Sequence, residues 1–124
     1  MTMDRARVGR MGERLAAAHL EELGLRIVDR NWRCAGEAVR GELDIVARDG
    51  QTLVFCEVKT RRRAHAESAF AAVTPRKQGQ LRRLAGAYLA AAGGGAEAVR
   101  FDLVAVWWPP EGGRARVAHV RGIA

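Results

Sequence analysis

Two apolar runs, Gly41-Glu42-Leu43-Asp44-Ile45-Val46-Ala47-Arg48 and Thr52-Leu53-Val54-Phe55-Cys56-Glu57-Val58-Lys59, flank Asp49-Gly50. Asp-Gly between such runs is a strong hairpin pattern, because glycine readily takes the positive φ that tight turns demand. A hairpin also fixes which side chains share a face, since alternate residues along a strand point the same way. If Asp49-Gly50 is a two-residue loop, Asp44 lies opposite Phe55 and Glu42 opposite Glu57. A four-residue loop puts Asp44 directly across from Glu57, and a three-residue loop would separate the acids. In the first two registers Glu42, Asp44, Glu57 and Lys59 share one face, with cross-strand neighbours about 5 Å apart.

Sheet interiors resist such a cluster. Asp and Glu are poor strand residues, and adjacent like charges destabilise unless a cation or a lysine neutralises them. Local rules broken at one place mark a functional site. The chemistry that fits is phosphodiester hydrolysis. Hard carboxylate oxygens suit Mg²⁺ or Mn²⁺, which keep several waters and bind phosphate; the ion polarises the phosphate and acidifies a bound water. Asp44 and Glu57 are the expected metal ligands. Lys59, two residues after Glu57 on the same face, would orient the nucleophile or stabilise charge developing on the phosphate. Glu13 joins them because on a helical wheel it borders the apolar arc, away from Arg7, Arg10 and Arg14 on the polar side. Glu-x-Lys alone is common in strands; Asp44 and Glu13 turn it into a candidate site.

The remaining chain supplies the frame. Asp4 to Leu23 reads as a helix, with Val8, Met11, Leu15 and Ala18 at helical spacing and Gly24 as its stop. Leu25 to Trp32 reads as a strand, followed by a loop through Gly36 and Gly41. Beyond the hairpin, Arg61-Arg62-Arg63 opens a loop or short helix. Thr74-Pro75 starts a second long helix carrying Leu81, Leu84, Ala85, Tyr88 and Leu89, ended by Gly93-Gly94-Gly95. Val99 to Trp108 and Arg116 to Val120 complete the strands. The order α-β-β-β-α-β-β predicts an α/β fold, a mixed sheet flanked by helices, in one domain over residues 1–124.

A net charge of +7 and a pI near 10.9 point to a polyanionic partner, although the Ala-, Gly- and Arg-rich composition is also what a GC-rich genome yields. Nineteen of the 21 basic residues are arginine, so Lys59 and Lys77 stand out as places where a compact ammonium is kept. Arg61, Arg62 and Arg63 could grip phosphates beside the scissile one. Arg76, Gln80 and Arg83 line one side of the second helix as a phosphate-facing wall, a solvated helix face being the plainer alternative, and Lys77 is expected among the nucleic-acid contacts. Asp102 is expected to pair with an arginine as structure, and Trp32 to lie in or near the core. Cys34 and Cys56 lack metal-ligand spacing and read as reduced thiols, which fits a cytoplasmic protein. No apolar stretch approaches a membrane span, and the N-terminus shows no signal-peptide core. His19, His65 and His119 share no local spacing.

Gly9-Arg10-Met11-Gly12-Glu13, Asn31-Trp32-Arg33, Gly41-Glu42-Leu43-Asp44, Phe55-Cys56-Glu57-Val58-Lys59-Thr60-Arg61, Thr74-Pro75-Arg76-Lys77-Gln78 and Arg100-Phe101-Asp102 together resemble the YraN family, also called UPF0102. The resemblance spans nearly the whole chain. It implies the PD-(D/E)xK, restriction-endonuclease-like fold, related to Holliday junction resolvases and tRNA-splicing endonucleases. Carried across, Asp44 and Glu57 are the metal acids, Lys59 the motif lysine and Glu13 the helix acid. Glu42 is a possible support, and Gln78 stands where related nucleases place a supporting glutamine. The stretch from Ala35 to Arg40 is a few residues longer than the family's usual loop. The function expected is an Mg²⁺- or Mn²⁺-dependent nuclease acting on structured or branched nucleic acid, as a monomer or a dimer. Its rivals are a module that binds nucleic acid without cutting, and an interaction protein whose acids form a structural network with arginines.

Overall fold

The computed structural model describes residues 4–94 and 96–124; Met1 to Met3 and Gly95, the last of the three helix-ending glycines, lie outside them. The order is α1 (Arg5–Glu22), β1 (Arg26–Ala35), β2 (Arg40–Asp49), β3 (Thr52–Arg61), α2 (Ala66–Phe70), α3 (Pro75–Ala92), β4 (Ala98–Trp107) and β5 (Arg116–Arg121). Both long helices start where their capping residues dictate. The Asp4 carboxylate accepts from the Arg7 amide at 2.8 Å, and Thr74 Oγ1 accepts from the Lys77 amide at 3.2 Å with Pro75 in the first turn. Gly93 ends α3 at φ 78°, the left-handed cap for which glycine carries no Cβ penalty.

The strands form one sheet in the order β1-β2-β3-β4-β5, antiparallel except for the parallel β3–β4 pair. A parallel neighbour needs a crossover, and the segment containing α2 and α3 supplies it. The sheet is covered on both faces. Under α1, Ala16 and Leu20 pack with Ile45, Val54, Cys56, Val104 and Val106. Under α3, Leu81, Leu84 and Tyr88 pack with Leu43, Val46, Phe55 and Phe101. Trp32 joins this second layer, its ring edge-on to Tyr88 at 5.3 Å.

Two element boundaries depart from the sequence reading. β1 runs on past Trp32 to Ala35 because Arg33, Cys34 and Ala35 pair with Glu42, Gly41 and Arg40, so the expected loop contracts to residues 36–39. This stretch has little apolar alternation to betray it. Arg61 belongs to β3, and a one-turn helix, α2, follows the arginines. Glu57 and Asp102 are the buried charged residues among those described. Asp102 is satisfied in the expected way: Arg100 grips both its oxygens at 2.9 Å, His119 Nε2 lies at 2.8 Å, and the Gly122 amide donates at 3.1 Å. Burial raises the affinity of its carboxyl for a proton, but Arg100 and these other donors hold its pKa below the ordinary value. The fold also brings His19 and His119 edge to face at 5.4 Å, a pairing that linear spacing hid.

Candidate metal centre

The β2–β3 register pairs Asp49 with Thr52, Arg48 with Leu53 and Ile45 with Cys56, and the ladder stops there. Of the registers open to the sequence, this is the one that puts Asp44 across from Glu57, with Gly50-Gln51 as the turn. At the next position β2 leaves its neighbour. The Val58 amide, which a continuing ladder would use, instead donates to Asp44 Oδ2 at 2.9 Å. Here β2 also changes face: Leu43 packs under α3, whereas Ile45 and Ala47 pack under α1. The expected single face for all four residues is therefore divided. Glu42 turns toward α1, Glu57 and Lys59 face α3, and Asp44 sits at the switch between them.

On the α1 side, Glu13, Glu42 and Asp44 each present a carboxylate oxygen within 4.8 Å of the others. Asn31 holds two of them, its amide donating at 2.9 Å to both Glu13 Oε2 and Glu42 Oε1. Asn31 can do so because its backbone adopts φ 52°, a left-handed conformation that asparagine tolerates better than other non-glycine residues. Arg33 adds an ion pair to Glu42 at 3.2 Å. Glu13 is brought in by Gly12, where α1 lies so close to β3 that a Cβ would collide with the Thr60 side chain. Opposite ligands of a bound Mg²⁺ stand about 4.2 Å apart, so these all-oxygen donors fit a small divalent cation after a slight closure.

On the α3 side, Glu57 is only 5% exposed, and both lysines of the chain meet on its Oε1. Lys59 Nζ lies at 3.1 Å and Lys77 Nζ at 3.4 Å. Asp44 stands between the groups, and its pKa is pushed up from 3.8 to about 7. Burial is the main cause; the negative charge of Glu57 adds to it, with lesser contributions from Glu13 and Glu42, while the Val58 amide opposes the rise. Four carboxylates and two ammonium groups thus converge where two strands part.

The expected basic residues divide among several cavities. Arg76 and Arg83 join Arg40, Gln80 and Glu37 around a cavity of about 360 Å³ between α3 and the β1–β2 connection. None of these three arginines has a carboxylate within ion-pair distance among the described residues. Arg61 and Arg62 line another cavity of about 520 Å³ with Arg5 beside Gly9 and Thr60, and Arg63 lines a third with Trp108 and Pro109. Lys77, expected among the nucleic-acid contacts, pairs with Glu57. Gln78 makes no side-chain hydrogen bond among the described residues, whereas Gln80 donates to the Arg40 carbonyl at 3.2 Å. Asn31, Arg40 and the contact of Lys77 with Glu57 escaped the residue-by-residue reading. Asn31 and Lys77 do stand in stretches that the family resemblance had singled out.

A model of the family described as "Uncharacterised protein family UPF0102" matches residues 12–106. A UPF0102 protein of Kineococcus radiotolerans is 52% identical over 118 residues, covering 94% of this chain and 93% of its own. One from Frankia casuarinae is 49% identical over 115 residues, 93% of each chain. One from Streptomyces coelicolor is 50% identical over 121 residues, covering 97% of this chain and 90% of its own. None of these names carries an activity.

Proposed function

The chain belongs to the UPF0102 family, and within it we propose that this member is a divalent-cation-dependent nuclease acting on structured or branched nucleic acid. The observation that carries the reading is Asp44, placed where β2 parts from β3 among Glu13, Glu42 and Glu57, with a carboxyl driven up to about 7. A sheet gains no stability from such crowding, whereas a bound cation relieves it. Asp44 and Glu57 would hold the ion, with Glu13 and Glu42 completing the oxygen set. A bound Mg²⁺ or Mn²⁺ would supply an activated water and a counter-charge for the phosphate. Lys59, already directed at Glu57, would orient that water or meet the charge developing on the phosphate. Arg40, Arg76 and Arg83 would hold backbone phosphates on one side of the acids and Arg61 on the other, contacts that position a strand without reading its bases. Selection by shape follows from that contact set. The free thiols Cys34 and Cys56 suit a reducing cytoplasm.

The test is calorimetric titration of Mg²⁺ or Mn²⁺ into the wild type, Asp44→Ala and Glu57→Ala, followed by the same proteins on single-stranded, duplex and branched DNA and RNA. The reading expects metal binding by the wild type alone, with metal-dependent cleavage that favours branched substrates. Salt-sensitive nucleic-acid binding with no metal binding would overturn it in favour of a non-cutting module, a reading supported by the guanidinium groups around Arg40, which have no carboxylate partner among the described residues.

A further inference from the structure

Lys77 is in an unfavourable place unless its contact with Glu57 has a use. It is the third residue of α3, after the Thr74 cap, and the first turn of that helix contains no acidic residue. A positive charge there opposes the positive end of the helix dipole, and Arg76 stands beside it. Its counter-charge is Glu57 Oε1, which Lys59 already holds at 3.1 Å; Lys77 reaches the same oxygen at 3.4 Å, long for a charge-assisted hydrogen bond. One carboxylate therefore serves two ammonium groups, and Lys77 is the looser of them. Lys59 is fixed beside Glu57 by the strand, two residues along the same face.

We propose that Lys77 is a positioning residue that stands in for the divalent cation: it neutralises Glu57 while the site is empty and is driven off when the ion arrives. This rests on the metal-dependent reading above. A cation shared by Asp44 and Glu57 draws on the negative charge that the two ammonium groups now divide, and it repels both. The weaker contact, on a flexible stem from another element, is the one that gives way. Lysine suits the task because its compact ammonium can rotate away, whereas an arginine fork would lock both carboxylate oxygens. In a chain that otherwise uses arginine nineteen times, keeping lysine at both positions on Glu57 has this physical sense. The exchange keeps the buried Glu57 paired in both states, so the site holds its shape without metal at the cost of some metal affinity.

The test is calorimetric titration of Mn²⁺ into the full chain carrying Lys77→Met, Lys77→Gln or Lys77→Arg, beside the wild type, with circular dichroism as the check on folding. Removing the competing charge is expected to tighten Mn²⁺ binding about tenfold in Lys77→Met and Lys77→Gln, about 1.4 kcal/mol. Lys77→Arg is expected to bind no more tightly than wild type. The glutamine variant stands in if methionine proves unable to fold beside Glu57. A residue that merely braced Glu57 would give the opposite sign, so unchanged or weaker Mn²⁺ binding in both neutral variants overturns this inference and leaves the nuclease reading standing. No Mn²⁺ binding by any of the four proteins overturns both.

Discussion

Asp44→Asn should stabilise this protein in the absence of metal, and increasingly so as pH rises. Asparagine keeps the shape and can still accept the Val58 amide bond at 2.9 Å through its carbonyl oxygen; it removes the charge. The folded pKa of Asp44, about 7, lies above its unfolded value of 3.8, so the fold favours the neutral carboxyl. Below about pH 4 the group is neutral in both states and the substitution changes little. Between pH 4 and 7 the unfolded chain releases the proton first, and the wild type loses about 1.4 kcal/mol per pH unit relative to the variant. The full shift sets a ceiling near 4 kcal/mol, and relaxation of the cluster with Glu13, Glu42 and Glu57 brings the expected gain at pH 8 to about 2–4 kcal/mol. Urea unfolding of both proteins from pH 4 to pH 8 in EDTA measures it. Mn²⁺ should then offset most of that advantage, because wild type gains about 2.7 kcal/mol at a hundred times its dissociation constant and the variant does not. Parallel stability curves across the pH range, or a variant less stable at pH 8, would show that Asp44 is ionised and well paired. The acids would then be a structural network.

Gly12→Ala should lift α1 off β3 at Thr60, costing about 1–3 kcal/mol by overpacking and weakening Mn²⁺ binding by moving Glu13. Thr60→Gly in the same chain should recover most of that binding, and calorimetry with thermal melts checks both effects. Arg76→Ala and Arg83→Ala should weaken binding to any nucleic acid alike, each lowering the slope of log affinity against log salt by about one; a slope unchanged in both would remove the Arg40 cavity from the interface. Asp102→Ala should cost about 3 kcal/mol by stranding Arg100 and His119 while Mn²⁺ affinity stays at the wild-type value, which separates the two buried acids by role.

What the sequence made legible was whatever periodicity and punctuation control. The two long helices, the hairpin and the mixed sheet follow from apolar spacing, from Thr74-Pro75 and from Asp49-Gly50, and Asp44, Glu57, Lys59 and Glu13 do converge. Two things were out of reach. The face change of β2 at Asp44 breaks the period-two rule used to read the strand, and no residue there announces it, since its cause is the parting of two strands in space. Long-range side-chain contacts were equally hidden: Asn31 lies eighteen residues from Glu13, and Lys77 twenty from Glu57. Lys77 was visible as a rare lysine, but its basic charge placed it among the expected nucleic-acid contacts.

The position of Asp44 follows from the same packing that makes the sheet stable. Residues 45–47 of β2 and 53–56 of β3 are buried, with α1 over one face and α3 over the other. A carboxylate placed there would lie under a helix whichever way it pointed, with no route to water or to a phosphate. Only where the ladder ends does a strand residue touch both helical layers and the outside. That constraint explains why the acids come from three elements rather than one: α1 supplies Glu13, braced by Asn31 from β1, β2 supplies Glu42 and Asp44, and β3 supplies Glu57. It also explains why the chain accepts a raised proton affinity at Asp44. Moving the acid one step inward would place it in the continuous core, and one step outward would release the Val58 amide and break its line with Glu57. The split in the sheet is therefore the feature that makes a two-sided acidic site compatible with a doubly covered fold.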